Sequence, residues 1–381
     1  MTPRVLVAHP GRQHSHQTAA ALARAGCLEG YWSGVPLTGP WARAVDSPPP
    51  ASACTGAPWA PGLRRVLEAI LPETSAPWGG FLADRAFDRW AAARVGRTSA
   101  NLVIGYEMGC RDLLDRARRS GVRTVLDAAS FHHRAQDEWR RPPESPRLHR
   151  KIVAAKEREL ELAEHVFVAS ELAAETYRAA GVPAARLSVL PLGVDLLRFQ
   201  DSKPRRSPGL KILFVGKLTE TKGFDLLLQA FDRVRRASPD ATLRVAGQGR
   251  WPGPLAAAIE CGRVAHEQLP EVYSAADVLV LPSRLDGFGM VVSEALACGT
   301  PVLVSDRVGA KDLVQEGVNG WVVPAEDAGK LAERLSWCAD HLPELRALRE
   351  TCRRLVEPHG WEAYGERLVA AVRRILAEPR A

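Results

Sequence analysis

Short apolar runs alternate with longer segments of helical periodicity along most of the chain. In the first half, the apolar runs predict buried strands at 4–8, 101–105, 123–127, 165–169 and 187–190. The spacing between them predicts helices at about 17–25, 81–95, 110–119, 148–164 and 171–180. Buried strands and helices that alternate in this way form parallel sheets with helices on both faces, so the pattern indicates an α/β fold.

The same alternation restarts after residues 200–209, whose sequence QDSKPRRSPG has the composition of a linker. The second half predicts strands at 211–215, 242–246, 262–265, 277–281 and 301–304. It predicts helices at about 223–236, 253–260, 269–275 and 289–298. We therefore predict two doubly wound, Rossmann-like domains, residues 1–200 and 209–360, which face each other across a central cleft.

Two further segments need their own interpretation. A last helix is predicted at about 361–377, and we expect it to pack back on the first domain. Residues 46–62 are rich in proline and small residues, which predicts an excursion loop without regular structure.

The composition narrows the class of protein. The chain has 381 residues, of which 46% are hydrophobic and 25% charged, as is typical of a globular protein with two domains. Its seven cysteines show no CxxC pair or ligand spacing. No apolar run is long enough for a signal peptide or a membrane span. These features predict a reduced, cytoplasmic protein.

The net charge of +7 favours anionic partners. Arginines are dense between residues 85 and 123, where Arg116, Arg118 and Arg119 fall close together. A solvated helix face explains this cluster, and peripheral contact with the acidic inner face of a membrane is the alternative. Because basic residues do not interleave with aromatic ones and no nucleic-acid module occurs, nucleic acid is not predicted as a partner.

The segment most informative about chemistry is residues 282–299, PSRLDGFGMVVSEALACG, which follows an apolar run and leads into a short helix. Gly287 and Gly289 would let a ligand approach the backbone, and the first helical turn offers unpaired N–H groups to an anion. Asp286 on the loop and Glu294 in the helix would contact different parts of that ligand. A phosphate between two polyol groups would suit this arrangement.

A second glycine-bounded loop, Gly216 to Gly223, follows the first strand of the second domain. Its two lysines, Lys217 and Lys222, could both turn toward one anion, although the GxxxxGK[ST] order of a P-loop is absent. An ordinary solvated loop is the alternative. The adjacent acidic turn favours phosphate binding.

The first domain offers two histidine-rich strand ends. The first loop contains His9, Gly11, Arg12, His14 and His16. We expect this loop to line the cleft, with Gly11 near the phosphates of a ligand. A metal site and a polar loop without function are the alternatives. After the strand at 123–127 comes SFHH, residues 130–133, whose histidines are structural or face the cleft. The chain contains no DxD pair, so lysines, backbone N–H groups and helix dipoles would meet a diphosphate without a metal ion.

Together these motifs resemble the retaining glycosyltransferases of the two-Rossmann (GT-B) fold in family 4, the glycosyl transferases group 1. The resemblance covers nearly the whole chain and is strongest from about 187 to 325. PLGVD, residues 191–195, is similar to the interdomain element of that family. Lys217 and Lys222 resemble its diphosphate-binding pair, and Asp286 with Glu294 its acidic-x7-Glu motif. The segment with His132, Arg134 and Gln136 is similar to the one that carries its active-site histidine.

The resemblance implies metal-independent transfer of a hexose-type sugar from a nucleotide diphosphate sugar to an acceptor hydroxyl, with retained anomeric configuration and no cofactor. The acceptor would be a glycan, a lipid-linked sugar or a small molecule, in cell-surface glycan, glycolipid or secondary-metabolite biosynthesis. The implied catalytic residues are His132, Lys217, Lys222 and Asp286. The implied donor-binding residues are Gly11, Gly216, Lys217, Lys222, Asp286, Gly287, Phe288, Gly289, Met290, Val291 and Glu294.

Three departures from the family pattern qualify this assignment. Asp286 stands where glutamate is usual, Lys217 where arginine is usual, and Pro10-Gly11-Arg12 where two glycines are common. Two other functions stay open at this point. One is a related GT-B sugar-nucleotide epimerase, and the other is a catalytically silent sugar-nucleotide-binding or scaffold protein, which Asp286 would favour.

Overall fold

The computed structural model describes residues 2–35, 48–71, 76–139, 145–200, 208–249, 251 and 259–379. Within these residues the chain forms two separate parallel sheets, one in each half. Most of the predicted linker, residues 201–207, lies outside the described part. The domain limits at 1–200 and 209–360 stay predictions.

The first sheet has seven strands in the order β3-β2-β1-β4-β5-β6-β7. Its strands are β1 Val5–His9, β2 Leu28–Ser33, β3 Cys54–Gly56, β4 Leu102–Tyr106, β5 Arg123–Ala128, β6 His165–Val168 and β7 Leu187–Val189. The helices of this half are α1 Ser15–Arg24, α2 Trp59–Ile70, α3 Ala76–Val95, α4 Arg111–Arg119, α5 His133–Trp139, α6 Pro146–Leu162 and α7 Glu171–Ala179.

The second sheet has six strands in the order β10-β9-β8-β11-β12-β13. Its strands are β8 Lys211–Lys217, β9 Thr242–Gln248, β10 Ile259–Gly262, β11 Val278–Leu281, β12 Val302–Ser305 and β13 Gly320–Val323. The helices are α8 Phe224–Ala237, α9 Leu269–Ser274, α10 Met290–Ala297, α11 Ala328–Asp340, α12 Leu342–Ala347, α13 Arg349–Val356 and α14 Trp361–Ala377.

Both faces of the central strands are buried, which explains why these strands appear as continuous apolar runs. In β1, Val5 and Val7 pack into one hydrophobic cluster while Leu6 and Ala8 pack into another on the opposite face. In both sheets the strand order reverses direction beside the first strand, between β1 and β4 and between β8 and β11. Loops at such switch points form ligand crevices at the carboxyl ends of the strands.

The last helix returns to the first half of the chain. The hydroxyl of Tyr364 on α14 lies 2.8 Å from Oγ1 of Thr18 on α1. A Cβ atom on Gly365 would lie 2.9 Å from that of Ala21, so the two helices approach closely at a glycine. The PLGVD element lies at the start of this return, because Val194 pairs with Gly360.

Some predictions were wrong. The segment at 46–62 contains the edge strand β3 and the start of α2, where a loop without regular structure was predicted; residues 46 and 47 lie outside the described part. The strand predicted at 262–265 is β10, which ends at Gly262, and its first residues were assigned to the helix predicted at 253–260. Strands β2 and β13 and helices α5 and α11 to α13 were not predicted.

Candidate functional site

The loop of residues 216–223 (the lysine loop) and the turn of residues 286–291 (the acidic turn) meet at the carboxyl edge of the second sheet because β8 and β11 are neighbours. Lys222 Nζ forms an ion pair with the carboxylate of Asp286. Gly223 starts α8 with φ of +68°, and a Cβ atom there would lie 1.9 Å from the carbonyl oxygen of Pro282. Only glycine at position 223 therefore lets the lysine loop lie this close to Pro282, which directly follows β11.

Lys217 lies at the end of β8 with an exposed side chain. Within the described residues it forms no ion pair, and this cation is available to a ligand. Gly216 precedes it, and a Cβ atom there would meet only the ring of Phe214 at 3.7 Å. The edge of the sheet thus presents one paired and one exposed lysine.

Glu294 lies in the middle of α10 and is buried at 7% exposure. The hydroxyl of Tyr273, on α9, donates a hydrogen bond of 2.6 Å to its Oε2 atom. Burial raises the pKa of Glu294 to about 6, although the Tyr273 hydroxyl acts in the opposite direction. One carboxylate oxygen is therefore fixed by the protein.

The backbone from Gly287 to Val291 presents a row of hydrogen-bond donors. The carbonyl oxygens of Asp286 and Phe288 accept bonds from Gly309 and Ala310, at 2.9 and 2.6 Å. In the described part of the chain, the N–H groups of residues 287–291 have no acceptor. Gly289, with φ of +88°, caps the amino end of α10. This end of the helix can bind an anion or sugar hydroxyls.

The first domain reaches the same turn through the loop after β5. A Cβ atom on Gly287 would lie 2.3 Å from the carbonyl oxygen of Ala129, so these backbones touch. Ser170 Oγ donates a 2.8 Å hydrogen bond to the Gly287 carbonyl oxygen. The guanidinium of Arg307 lies 4.8 Å from the ring centre of Trp139. The two halves therefore close directly over the turn.

His132 follows that loop and is buried. Its backbone N–H donates to Thr176 Oγ1 at 2.9 Å, and its ring meets Tyr177 edge-on at 5.1 Å. Burial, and then the neighbouring His133, lower its pKa to about 4. At neutral pH the imidazole is uncharged, so it can form hydrogen bonds but supplies no positive charge.

One group of three residues among those described could hold a metal ion by residue type. Ligand atoms of His132, His133 and Glu157 lie within 4.8 Å of one another. However, His133 Nε2 already lies 2.9 Å from a Glu157 oxygen, which also accepts a 3.2 Å bond from Arg134. These bonds explain the cluster without an ion, and independence from metal stays a prediction.

The first loop is built around a buried polar pair. His14 Nε2 lies 3.0 Å from a carboxylate oxygen of Asp127, and both side chains are almost fully buried. The N–H of Gly11 donates to His9 Nδ1 at 2.7 Å, which fixes the loop backbone. Burial, and then His14, lower the pKa of His9 to about 4. Gly11 reaches the cleft, whereas His14 lies beneath it.

A cavity of about 550 Å³ opens beside Gly11, at the carboxyl ends of β1, β4 and β5. Its wall includes residues 60, 61 and 64 of α2. The polar lining comes from His9, Arg12, Gln13, Arg64, Asp84, Glu107, Asp127 and Ser130. Since Ser130 also contacts Gly287, the cavity adjoins the acidic turn of the second domain.

Sequence analysis missed several residues that shape this site. Tyr273 lies in a helix with no motif, and only its contact with Glu294 reveals its importance. Ser170 and Trp139 become relevant through contacts with the other domain. Of the predicted residues, Lys222 and Asp286 are in contact, and Glu294 lies on the helix that follows the acidic turn. Within the described residues no hydrogen bond or ion pair joins His132 to them, and the chemical roles of all four stay predictions.

Comparison with known proteins connects the site to a family. Residues 209–341 match the family model described as glycosyl transferases group 1. These residues carry the lysine loop, the acidic turn and Glu294. This segment of the chain is therefore similar to the glycosyl transferases group 1. The resemblance to that group inferred from the motifs is confirmed for residues 209–341.

Curated relatives of this chain include a glycogen synthase of Mycobacterium tuberculosis (strain CDC 1551), 32% identical over 195 residues. That alignment covers 48% of this chain and 47% of the relative. A GDP-mannose-dependent phosphatidylinositol monomannoside mannosyltransferase of Corynebacterium glutamicum is 32% identical over 218 residues, 50% of this chain and 56% of that protein. The chain thus spans about half the length of the curated relatives it matches.

Solved structures extend the similarity to both domains. The sucrose-phosphate synthase of Thermosynechococcus elongatus superposes with a TM-score of 0.72 at 20% identity, over 99% of this chain and 100% of that one. The Anabaena protein HepE in complex with UDP gives a TM-score of 0.66 at 14% identity, over 98% and 100%. At these identities the likeness shows the fold, and the predicted GT-B architecture is confirmed. No described helix combines the length and apolar character needed to span a bilayer.

Proposed function

We propose that this chain is a glycosyltransferase that moves a hexose-type sugar from a nucleotide diphosphate sugar to an acceptor hydroxyl. The observation that carries the proposal is that Lys222 pairs with Asp286 beside N–H groups of residues 287–291 that have no acceptor in the described part of the chain, on the turn that leads into the helix of Glu294. The glycosyl transferases group 1 match and the UDP complex of the similar HepE structure support a nucleotide-sugar donor.

The cations of this edge would stabilise the leaving diphosphate. Departure of the nucleotide builds negative charge on the leaving phosphate oxygen, and preorganised donors aimed at such charge lower the barrier. Lys217 and Lys222 would supply charge, and the amino end of α10 would supply N–H groups. Lys222 would exchange its ion pair with Asp286 for the phosphates when the donor binds.

Asp286 and Glu294 would then hold opposite parts of the donor. Asp286, released from Lys222, would accept hydrogen bonds from the sugar hydroxyls, with His132 on the other side of the ring. Glu294, with one oxygen fixed by Tyr273, would accept the ribose hydroxyls. The departing phosphate oxygen would take the proton of the acceptor hydroxyl on the face from which it leaves, so that anomeric configuration is retained and no metal ion is needed.

The acceptor would enter through the cavity of the first domain. Its lining offers carboxylates, guanidinium groups and Ser130 as hydrogen-bond partners, which suits a ligand with many hydroxyls. The cavity adjoins Gly287, so an acceptor hydroxyl there could approach the donor sugar. Closure of the two domains over this point would exclude water and limit donor hydrolysis.

Two linked measurements test the function. A thermal-shift screen of UDP, GDP, ADP and dTDP sugars identifies the donor, because a bound ligand stabilises the folded state. Proton NMR of the product formed from that donor then gives the anomeric configuration at the new bond. We expect one nucleotide class to raise the Tm and the α donor to yield an α product. An inverted product would contradict the mechanism while leaving transferase activity intact.

Donor binding is expected to weaken as the pH falls below about 6. The ribose hydroxyls donate to Glu294 best when it is ionised, and its pKa of about 6 places protonation in that range. At pH 5 the dissociation constant of the intact donor should be up to about tenfold higher than at pH 8. Calorimetric titration across this range measures the effect, and the intact donor is used because its phosphates stay ionised throughout.

Two variants control that measurement. In Glu294→Gln the pH dependence should disappear. In Tyr273→Phe the pKa of Glu294 should rise, because the Tyr273 hydroxyl lowers it, and the transition should move to higher pH. An unchanged pH profile in Glu294→Gln would show that another group is responsible.

Protonation of Glu294 favours folding, whereas it is expected to weaken donor binding. Because burial raises the pKa of Glu294 from 4.5 to about 6, folding favours its protonated form. This contribution to stability is fully present below about pH 4.5 and is lost as the pH rises through 6.

A further inference from the structure

Helix α2 leaves an apolar stripe uncovered on the first domain. Trp59, Val66 and Ile70 are exposed by 40%, 57% and 70% of their surface. Their spacing of seven and four residues places them along one side of the helix, together with the half-buried Leu63. Ala60 is the one buried residue of α2, so the helix contributes little to the core.

The stripe belongs to a larger patch on one helical hairpin. Helix α2 packs along α3, where Gly79 lies against Leu67 and Glu68, and Gly80 lies against Arg64. Leu82 on α3 is exposed by 44%. Of the six exposed large apolar side chains among the described residues, four lie on this hairpin, and the other two are Leu197 and Val318. Such a concentration marks an interaction surface.

The charges around the stripe favour an anionic partner. Arg64 and Arg65 lie on the remaining faces of α2, and Arg89 on α3 exposes 75% of its side chain. Arg119 on the next helix, α4, exposes 71% and pairs with Asp115 at 2.8 Å, while Arg89 lies 3.9 Å from Asp112. Glu68 is the acidic residue of α2 and pairs with Arg64 at 2.8 Å. An apolar stripe flanked by arginines matches a bilayer surface with anionic headgroups.

The charge of the patch argues against a second copy of the chain as its occupant. In a symmetric dimer the same arginines of both copies would lie against each other, and like charges that meet at an interface are unfavourable. In contrast, a helix lying in the headgroup region needs only one apolar side and cationic flanks.

We propose that α2 is a membrane-docking helix whose stripe of Trp59, Val66 and Ile70 inserts into an anionic phospholipid surface, with the hairpin arginines on the headgroups. Pro61 and Arg64 of the same helix line the cavity of the first domain. Docking therefore places that cavity at the level of the headgroups. The proposal goes beyond the proposed function and does not depend on it, since binding to a bilayer requires no turnover.

Vesicle co-sedimentation tests the proposal with the intact protein. Vesicles of phosphatidylcholine alone are compared with vesicles that contain 30% phosphatidylglycerol (about one anionic lipid in three, enough for a negative surface potential). We expect binding to the anionic vesicles that weakens as salt increases. The double variant Val66→Glu/Ile70→Glu should lower the partition coefficient about tenfold or more. Its far-ultraviolet circular dichroism and Tm should match the wild type, because both side chains are exposed.

Leu197→Glu/Val318→Glu is the matched control. It adds the same two charges at exposed apolar positions outside the hairpin, and it should bind vesicles as the wild type does. Equal binding of the double variant and the wild type would overturn the proposal, as would the absence of wild-type binding to anionic vesicles. Light scattering is a third readout: a wild-type dimer that the double variant abolishes would make this face a self-interface and also overturn it.

Discussion

Replacing Lys222 by alanine is expected to lower turnover at saturating donor on the order of a hundredfold to a thousandfold. The lysine lies at the amino end of α8, paired with Asp286, where the proposed diphosphate would bind. Its removal deletes the charge that stabilises the leaving group. It also leaves Asp286 unpaired beside the phosphates, so donor affinity should fall as well. Release of the nucleotide diphosphate, measured at rising donor concentration, separates the two effects.

Two variants make this result interpretable. Lys211→Ala removes a lysine at the start of β8, the strand that leads into the loop of Lys222, at the end away from the cleft, and should leave turnover unchanged. Lys222→Ala/Asp286→Asn removes both charges of the pair. Because the repulsion from Asp286 is then gone, the double variant should regain donor affinity but not turnover. Full turnover in Lys222→Ala at saturating donor would show that this lysine does not stabilise the leaving group.

Replacing Gly287 by alanine is expected to lower kcat/KM by about a hundredfold, because it should keep the two domains apart. The added Cβ atom would lie 2.3 Å from the carbonyl oxygen of Ala129 and 2.7 Å from Cα of Ser130. Both neighbours are backbone atoms, which cannot move aside as a flexible side chain can. The Ser170 hydrogen bond to Gly287 would be strained too.

The measurement pairs kinetics with small-angle scattering. Gly287→Ala should give a larger radius of gyration than the wild type and lose activity, while its Tm changes little because the residue lies outside both cores. Gly62→Ala is the control, since a Cβ atom there would meet nothing within 4 Å. If Gly287→Ala kept full activity, contact between this turn and the first domain would not be needed for the reaction.

The sequence predicts the central strands well because both of their faces are buried. Strand β11 is a run of four apolar residues, and β1 is apolar up to its last residue, His9. The edge strand β3 lacks that signal, since its three residues are Cys-Thr-Gly and two of them are exposed. Strand β2 contains Glu29 and Gly30 and was missed for a similar reason.

In the site, contacts that follow from the order of the strands could be predicted, whereas contacts between distant segments could not. Loops that follow neighbouring parallel strands must meet at one edge, so the approach of Lys222 to Asp286 could be expected from their positions in the chain. The bond from Tyr273 to Glu294 could not, because it depends on how two helices lie beside each other. The contact between Ala129 and Gly287 depends on how the two domains sit together, which no local pattern encodes.

We propose that the second domain binds a nucleotide sugar and that the chain transfers the sugar. The most direct test uses the donor found in the thermal screen, labelled with ¹³C in its sugar, together with lipid and polysaccharide fractions as acceptors. Mass spectrometry should detect an acceptor that gains one labelled hexosyl group with the wild type and none with Lys222→Ala. Donor binding without any labelled product or released nucleotide diphosphate, across all acceptor fractions, would contradict the claim and indicate a protein that binds the donor but does not react.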